Sequence, residues 1–209
     1  MRERSQQTNR SNACPADRAI QNLGANLMSN LNVAIPRELA DRLRTVFQLD
    51  AAPRTLDDLA SANMGPFTEK CSSSLVSATP TRHKVIIGNE VLHTYCVIDA
   101  FMLSSLRGES VEIDSSDPET GEPIRILTTA NGFLEDGPDL SGGTVSFGVT
   151  RDGAGSVYSM ACPLINLFAT RASYEEWSQK HPEALTMGIP LVDAMSLARS
   201  WVSAGEKCC

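Results

Sequence analysis

The stretch Tyr95-Cys96-Val97-Ile98-Asp99-Ala100-Phe101 constrains this chain most. It sets a thiol and a carboxylate three residues apart inside an almost wholly apolar run, with Leu92 before it and Met102 and Leu103 after it. An ionised carboxylate in apolar surroundings is costly unless it is paired or takes up a proton. On a strand, residues three apart point to opposite faces of the sheet. On a helix they share a face. Ala100, Met102, Leu103 and Leu106 are good helix formers, and Arg107-Gly108 makes a suitable end. The run therefore predicts a helix over 96–106. Cys96 falls in its first turn, where the helix dipole favours a thiolate.

The rest of the composition bounds what such a helix can serve. A chain of 209 residues holds one domain of ordinary size, or a small one and a medium one. Its net charge of −7, without a Lys/Arg block, argues against a nucleic-acid partner, because neutralising phosphates needs a basic face. No apolar run approaches the length of a membrane span, so no membrane partner is expected. The opening Met1–Gln7 is polar and lacks the apolar core of a signal peptide, so the expectation is a cytoplasmic protein. In that reducing compartment Cys14, Cys71, Cys96, Cys162, Cys208 and Cys209 are expected as thiols. With no C-x-x-C and three histidines, the spacing fits no zinc ribbon or finger.

Taken in order, residues 1–15 read as a polar, mobile tail. Ile20, Leu23, Leu27 and Leu31 recur at helical spacing, and a second helix fits 36–48, with Pro36 in its first turn and Leu39, Leu43, Val46 and Phe47 on one face. Thr55-Leu56-Asp57-Asp58 is a capping-type start for a short third helix to Ala62, and a fourth is expected from Phe67 to Leu75. Residues 16–80 are thus predicted as a helical, winged-helix-like domain. The acidic balance favours a packing or lid role for it over DNA binding. A hairpin follows, 83–87 and 91–95 about Gly88-Asn89, then the helix at 96–106. Strands are expected at 111–114, 124–127 and 143–149. The apolar segment 157–168 carries Cys162 and Pro163, and its proline predicts a sheet edge, bulge or strand end. A helix beginning at Ser173 and a last one over 191–202 complete the chain. The class is α+β: the helical N-terminal part, then a mixed α/β catalytic part over 81–209 with a mainly antiparallel sheet and a mobile Cys208-Cys209 end.

Spacing alone leaves two readings of Cys96 and Asp99, a buried thiol beside a hydrogen-bonded carboxylate or a chemical pair. Cys162, also flanked by apolar residues, adds a second thiol. Two thiolates and a carboxylate make a soft-metal site suited to mercury or copper(I) rather than magnesium or calcium. His93 and His181 are paired by no ligand spacing.

At this point the residues resemble a family. Tyr95–Phe101 looks like the first active-site motif of organomercurial (alkylmercury) lyases. Thr120-Gly121-Glu122-Pro123 is similar to the family's T-G-x-P turn, Cys162 stands in the place of the second catalytic cysteine, and Phe168-Ala169 with Glu175, Trp177, Lys180 and His181 resembles its F-A…E-x-W-x-x-K-H pattern. The likeness runs from about residue 83 to 203. It departs at Tyr95, where many members have Trp, at Asp117, where many have a further Cys, and at Pro163, which replaces a Cys. The resemblance implies protonolytic cleavage of a carbon–mercury bond to a hydrocarbon and Hg(II). Cys96 and Cys162 would be the mercury ligands and Asp99 the proton carrier beside the metal, with no organic cofactor. It implies an organomercurial substrate, low-molecular-weight thiols as acceptors of Hg(II), and mercuric reductase as a downstream partner. Cys208-Cys209 resembles the terminal pair with which such reductases carry Hg(II), and is expected to pass product on. The alternatives are a soft-metal thiolate carrier for mercury or copper, or a repurposed homologue, on the same fold.

Overall fold

The structure is a computed structural model that describes residues 30–62, 72–129 and 142–204. The tail at 1–15, most of the first expected helix, most of the fourth, the loop at 130–141 and Cys14, Cys71, Cys208 and Cys209 lie outside the described residues.

Helix α1 spans Arg37–Phe47, with Pro36 at its N-cap and Leu39, Ala40, Leu43 and Phe47 buried along one face. It ends where Gln48 turns left-handed, at φ 56°. Helix α2 spans Leu56–Ser61 and opens on a full capping box. The Thr55 hydroxyl accepts from the Asp58 N–H at 3.1 Å, and the Asp58 carboxylate accepts from the Thr55 N–H at 3.0 Å. Two orphan amides of the first turn are thereby satisfied.

Strands β1 (Lys84–Ile87) and β2 (Glu90–His93) form the expected hairpin, turning at Gly88 with φ 57°. Helix α3 then runs Val97–Arg107, one residue later at each end than its pattern predicts. It stops at Gly108, whose φ of 63° suits a residue without Cβ. Strands β3 (Val111–Ser116) and β4 (Pro123–Thr128) complete an antiparallel sheet in the order β2-β1-β3-β4. Strand β5 (Thr144–Thr150), helix α4 (Val157–Met160), a 3₁₀ turn (Cys162–Leu164) and strand β6 (Leu167–Phe168) follow. Helix α5 (Arg171–Lys180), strand β7 (Ala184–Pro190) and helix α6 (Leu191–Ala204) close the described chain. The second sheet is antiparallel, in the order β6-β5-β7. The class is therefore mixed α and β with antiparallel sheets. No helix among the described residues is long and apolar enough to cross a membrane.

Three local readings change. The segment 157–168 does reach a sheet edge, at β6, but Pro163 itself stands in the 3₁₀ turn Cys162–Leu164 that precedes it. Helix α5 starts at Arg171, because the Thr170 hydroxyl, not Ser173, provides the cap by accepting from the Ser173 N–H. Strand β7 was hidden by Gly188 and Pro190, which weaken a strand pattern. Gly188 is there for space: a Cβ on it would lie 2.6 Å from the Tyr174 ring.

Helix α3 is the centre of the packing. Every residue from Val97 to Ser104 is buried, so it presents no wet face over two turns. It lies against α6, β3 and the 3₁₀ turn Ser72–Leu75. One contiguous core joins Leu39, Leu43, Leu56 and Leu59 to Phe101, Phe147 and Trp201, so it crosses residue 80 without a break. The Trp201 indole N–H donates to the Leu59 carbonyl at 3.2 Å, tying α6 to α2. Each fully buried large side chain contributes about 1.5–3 kcal/mol.

Asp117 anchors the turn after β3 to the start of α5. It is buried, and it accepts from the Glu119 and Thr120 amides, the Ala169 amide and the Ser173 hydroxyl at 2.7–3.2 Å. Burial raises its pKa, but these donors outweigh burial and hold the carboxyl below its ordinary value. A depressed folded-state pKa adds stability that is present above the unfolded value, about 3.9, and is lost as pH falls through the folded one. Asp117→Ala should cost at least about 2 kcal/mol in urea unfolding at neutral pH. The variant's stability should also fall less steeply than the wild type's below pH ~4. Equal slopes would show that Asp117 does not carry this linkage.

Candidate functional site

Cys96 comes to the site on extended backbone, φ −147° and ψ 171°, at the N-cap of α3. Asp99 is three residues on, in the first turn of the same helix. This is the spacing of a capping box, but the Cys96 side chain makes no capping bond. The Thr94 hydroxyl donates to the Cys96 carbonyl at 2.9 Å and fixes the approach of the chain. Cys162 opens the 3₁₀ turn that follows α4.

Fold topology brings the three together. One ligand atom from each, the two Sγ atoms and an Asp99 carboxylate oxygen, all lie within 4.8 Å of one another. Cys96 is 3%, Asp99 2% and Cys162 6% exposed, so the group is shut off from bulk water. Both cysteines belong to the main hydrophobic core, and their sequence neighbours Val97, Ile98, Ala161 and Ile165 are buried in it. The positive end of the α3 dipole faces it.

The Cys162 turn is held bond by bond. Three successive carbonyls after the cysteine each accept from a different group. The Asn166 side-chain amide donates to Pro163 at 2.9 Å, the Ser146 hydroxyl on β5 donates to Leu164 at 2.6 Å, and the Val97 N–H donates to Ile165 at 3.3 Å. The last of these ties the segment that carries Cys162 to the residue after Cys96. Asn166 and Ser146 were not singled out in the sequence, although Asn166 is the polar residue in an otherwise apolar run from Leu164 to Phe168. His83 is 2% exposed, and its Nδ1 is 2.9 Å from the Ser115 hydroxyl. Burial, then the nearby Arg82 charge, push His83 down to about 3, against a smaller opposing pull from Asn166, so the ring is neutral at physiological pH.

At the rim, Tyr95 is partly exposed and its ring centroid lies 4.8 Å from that of Tyr158. The Tyr158 hydroxyl donates to the Ser74 carbonyl at 3.2 Å, tying α4 to the 3₁₀ turn at 72–75. His93 and His181 are engaged elsewhere. His93 Nδ1 meets the backbone of Thr81, and His181 stacks on Trp177 at 4.4 Å between centroids. Two sulfurs and a carboxylate oxygen in a dry pocket suit a soft, thiophilic metal, with a proton acceptor beside it.

Comparisons with known proteins bear on these same residues. The family model described as MerB, alkylmercury lyase, matches residues 76–203. An alkylmercury lyase of Bacillus cereus is 30% identical over 120 residues, which cover 57% of this chain and 53% of that protein. One of Streptomyces lividans is 26% identical over 155 residues, covering 72% and 69%. The chain thus spans about half the length of the first of these curated relatives. The crystal structure of the mercury-bound form of MerB2 shares the fold, with a TM-score of 0.52 at 21% identity over 82% of this chain and 93% of that one.

Convergence of the two sulfurs makes a prediction that needs no turnover. Cd(II), a soft ion chosen as a probe, should protect Cys96 and Cys162 from iodoacetamide together, as read by mass spectrometry of the labelled peptides. Protection of one thiol alone would mean that they do not share an ion.

Proposed function

The chain belongs to the alkylmercury lyase family, whose model matches residues 76–203, and from that premise we propose that it cleaves carbon–mercury bonds by protonolysis. The observation that carries the reading is the convergence of both thiols and the Asp99 carboxyl within 4.8 Å. A lone buried thiol binds mercury; cleavage also needs a second sulfur and a proton held at the same place.

In this reading an organomercurial R–Hg–X enters as substrate, and the first thiolate bonds to mercury and displaces X⁻ into solution. The second thiol adds to the same mercury and gives its proton to the Asp99 carboxylate. The carbon–mercury bond then breaks with its electron pair on carbon. Asp99 delivers the proton to that carbon as the pair develops, because an unprotonated carbanion is a very poor leaving group. The products are R–H and Hg(II) on two thiolates, and Asp99 is again a carboxylate. The proton comes from the protein's own thiol, so the reaction needs no organic cofactor. Burial of the site favours this order, since a dry pocket strengthens sulfur–mercury contacts and keeps water from competing.

Low-molecular-weight thiols then take Hg(II) from the pair, and a mercuric reductase is the fitting consumer. Cys208 and Cys209 are proposed to shuttle the ion outward. The reducing environment that keeps six thiols available makes the cytoplasm the fitting compartment. We further infer that α1 and α2 belong to a winged-helix-like cover over the catalytic unit. Packing of α1 against β5 and of α2 against α6 supports a covering role.

Incubation with phenylmercury and excess thiol should release benzene. Asp99→Ala should lose that release by at least about 100-fold while still binding mercury, the lower range for a general acid–base group. Normal cleavage by Asp99→Ala would overturn the proton-carrier role. Mercury binding without benzene from the wild type would leave a thiolate carrier instead. Replacing Cys208 and Cys209 by Ser should slow transfer of Hg(II) to a reductase and leave single-turnover cleavage unchanged. Unchanged transfer would remove the shuttle role.

A further inference from the structure

The bonds to the Cys162 turn are unequal in origin. Val97 acts through the first amide of α3, and Ser146 through a hydroxyl that also accepts from the Asn166 N–H, so both serve the backbone whatever the site does. Asn166 is different. Its backbone already pairs with Ser146, the Asn166 N–H donating to the Ser146 hydroxyl at 3.0 Å and its carbonyl accepting from the Ser146 N–H at 2.9 Å. Its side chain is therefore spare to the strand pairing, and it turns back to Pro163, the residue joined to Cys162. A short aliphatic residue would keep every backbone bond and fill an apolar core equally well. A buried amide is costly without partners, so its presence calls for a reason.

We propose that Asn166 is the positioning residue of the second thiol, holding the Cys162 turn through the Pro163 carbonyl. Asn166 touches no substrate; it acts through the placement of a sulfur. Groups that orient a metal's ligands in this way typically matter about 10- to 100-fold.

The kinetic arm of the test rests on the carbon–mercury lyase reading, and the thiol arm does not. In the full chain, Asn166→Ala should lower single-turnover benzene release from phenylmercury about 10- to 100-fold. Iodoacetamide should label Cys162 faster relative to Cys96 than in the wild type, read peptide by peptide. An unchanged labelling ratio in Asn166→Ala would overturn the proposal. Equal acceleration at both thiols, the mark of general loosening, would overturn it too. If the wild type releases no benzene, the lyase reading fails, while the labelling ratio still decides the role of Asn166.

Discussion

The hydrogen bond from the Val97 N–H to the Ile165 carbonyl joins two segments that are far apart in sequence, and the site depends on it. One segment starts the central helix and carries Cys96 and Asp99; the other carries Cys162. The first amides of any α-helix lack partners within the helix. Here one of them is satisfied by the loop that brings the second thiol. The same bond thus closes a gap in the backbone hydrogen bonding of a buried helix start and sets the distance between two sulfurs. Removing either segment would leave both an orphaned amide and half a site.

Burial explains why so many polar groups around this bond are tied down. A helix with no wet face over two turns leaves no water to satisfy stray donors or acceptors. Thr94, Ser146, Asn166 and His83 accordingly each have a named partner among the described residues. Asp117 shows the same economy just past the end of β3, where four donors surround one carboxylate. In this chain it stands where many family members are expected to have a cysteine, and its bonds give it a structural task at the start of α5. An apolar setting made rigid by buried hydrogen bonds is also what a two-thiol centre needs: neither sulfur can drift, and water is kept out.

Much of this is legible in the residues. The helix at 96–106 is predicted by its formers and its glycine stop, and it forms one residue later. The hairpin at Gly88, the capping box at Thr55 and the last helix follow from local rules that need only a few neighbours. The segment around Pro163 is less legible, because a proline after a cysteine in an apolar run is compatible with a strand end or a turn. Strand β7 escapes because its glycine exists to make room for Tyr174, a contact made across sequence. Asn166 and Ser146 are not legible as site-supporting residues, since each is an ordinary polar residue until folding brings a particular carbonyl within its reach.

The sequence by itself determined that a helix starts at the Cys96–Asp99 run, because its formers and its glycine stop are local. Cys96 lies at the N-cap on extended backbone rather than in the first turn, so it is N-cap-to-N3 spacing, not a shared helix face, that relates it to Asp99. The sequence also supplied a second apolar-flanked thiol, and through its motifs the family resemblance. Only the tertiary structure decided that Cys162 meets that helix start within 4.8 Å. That meeting depends on where a 3₁₀ turn is pinned by β5 and by the start of α3. No local rule encodes it, because the pinning groups come from distant parts of the chain and act only once the core has closed around them.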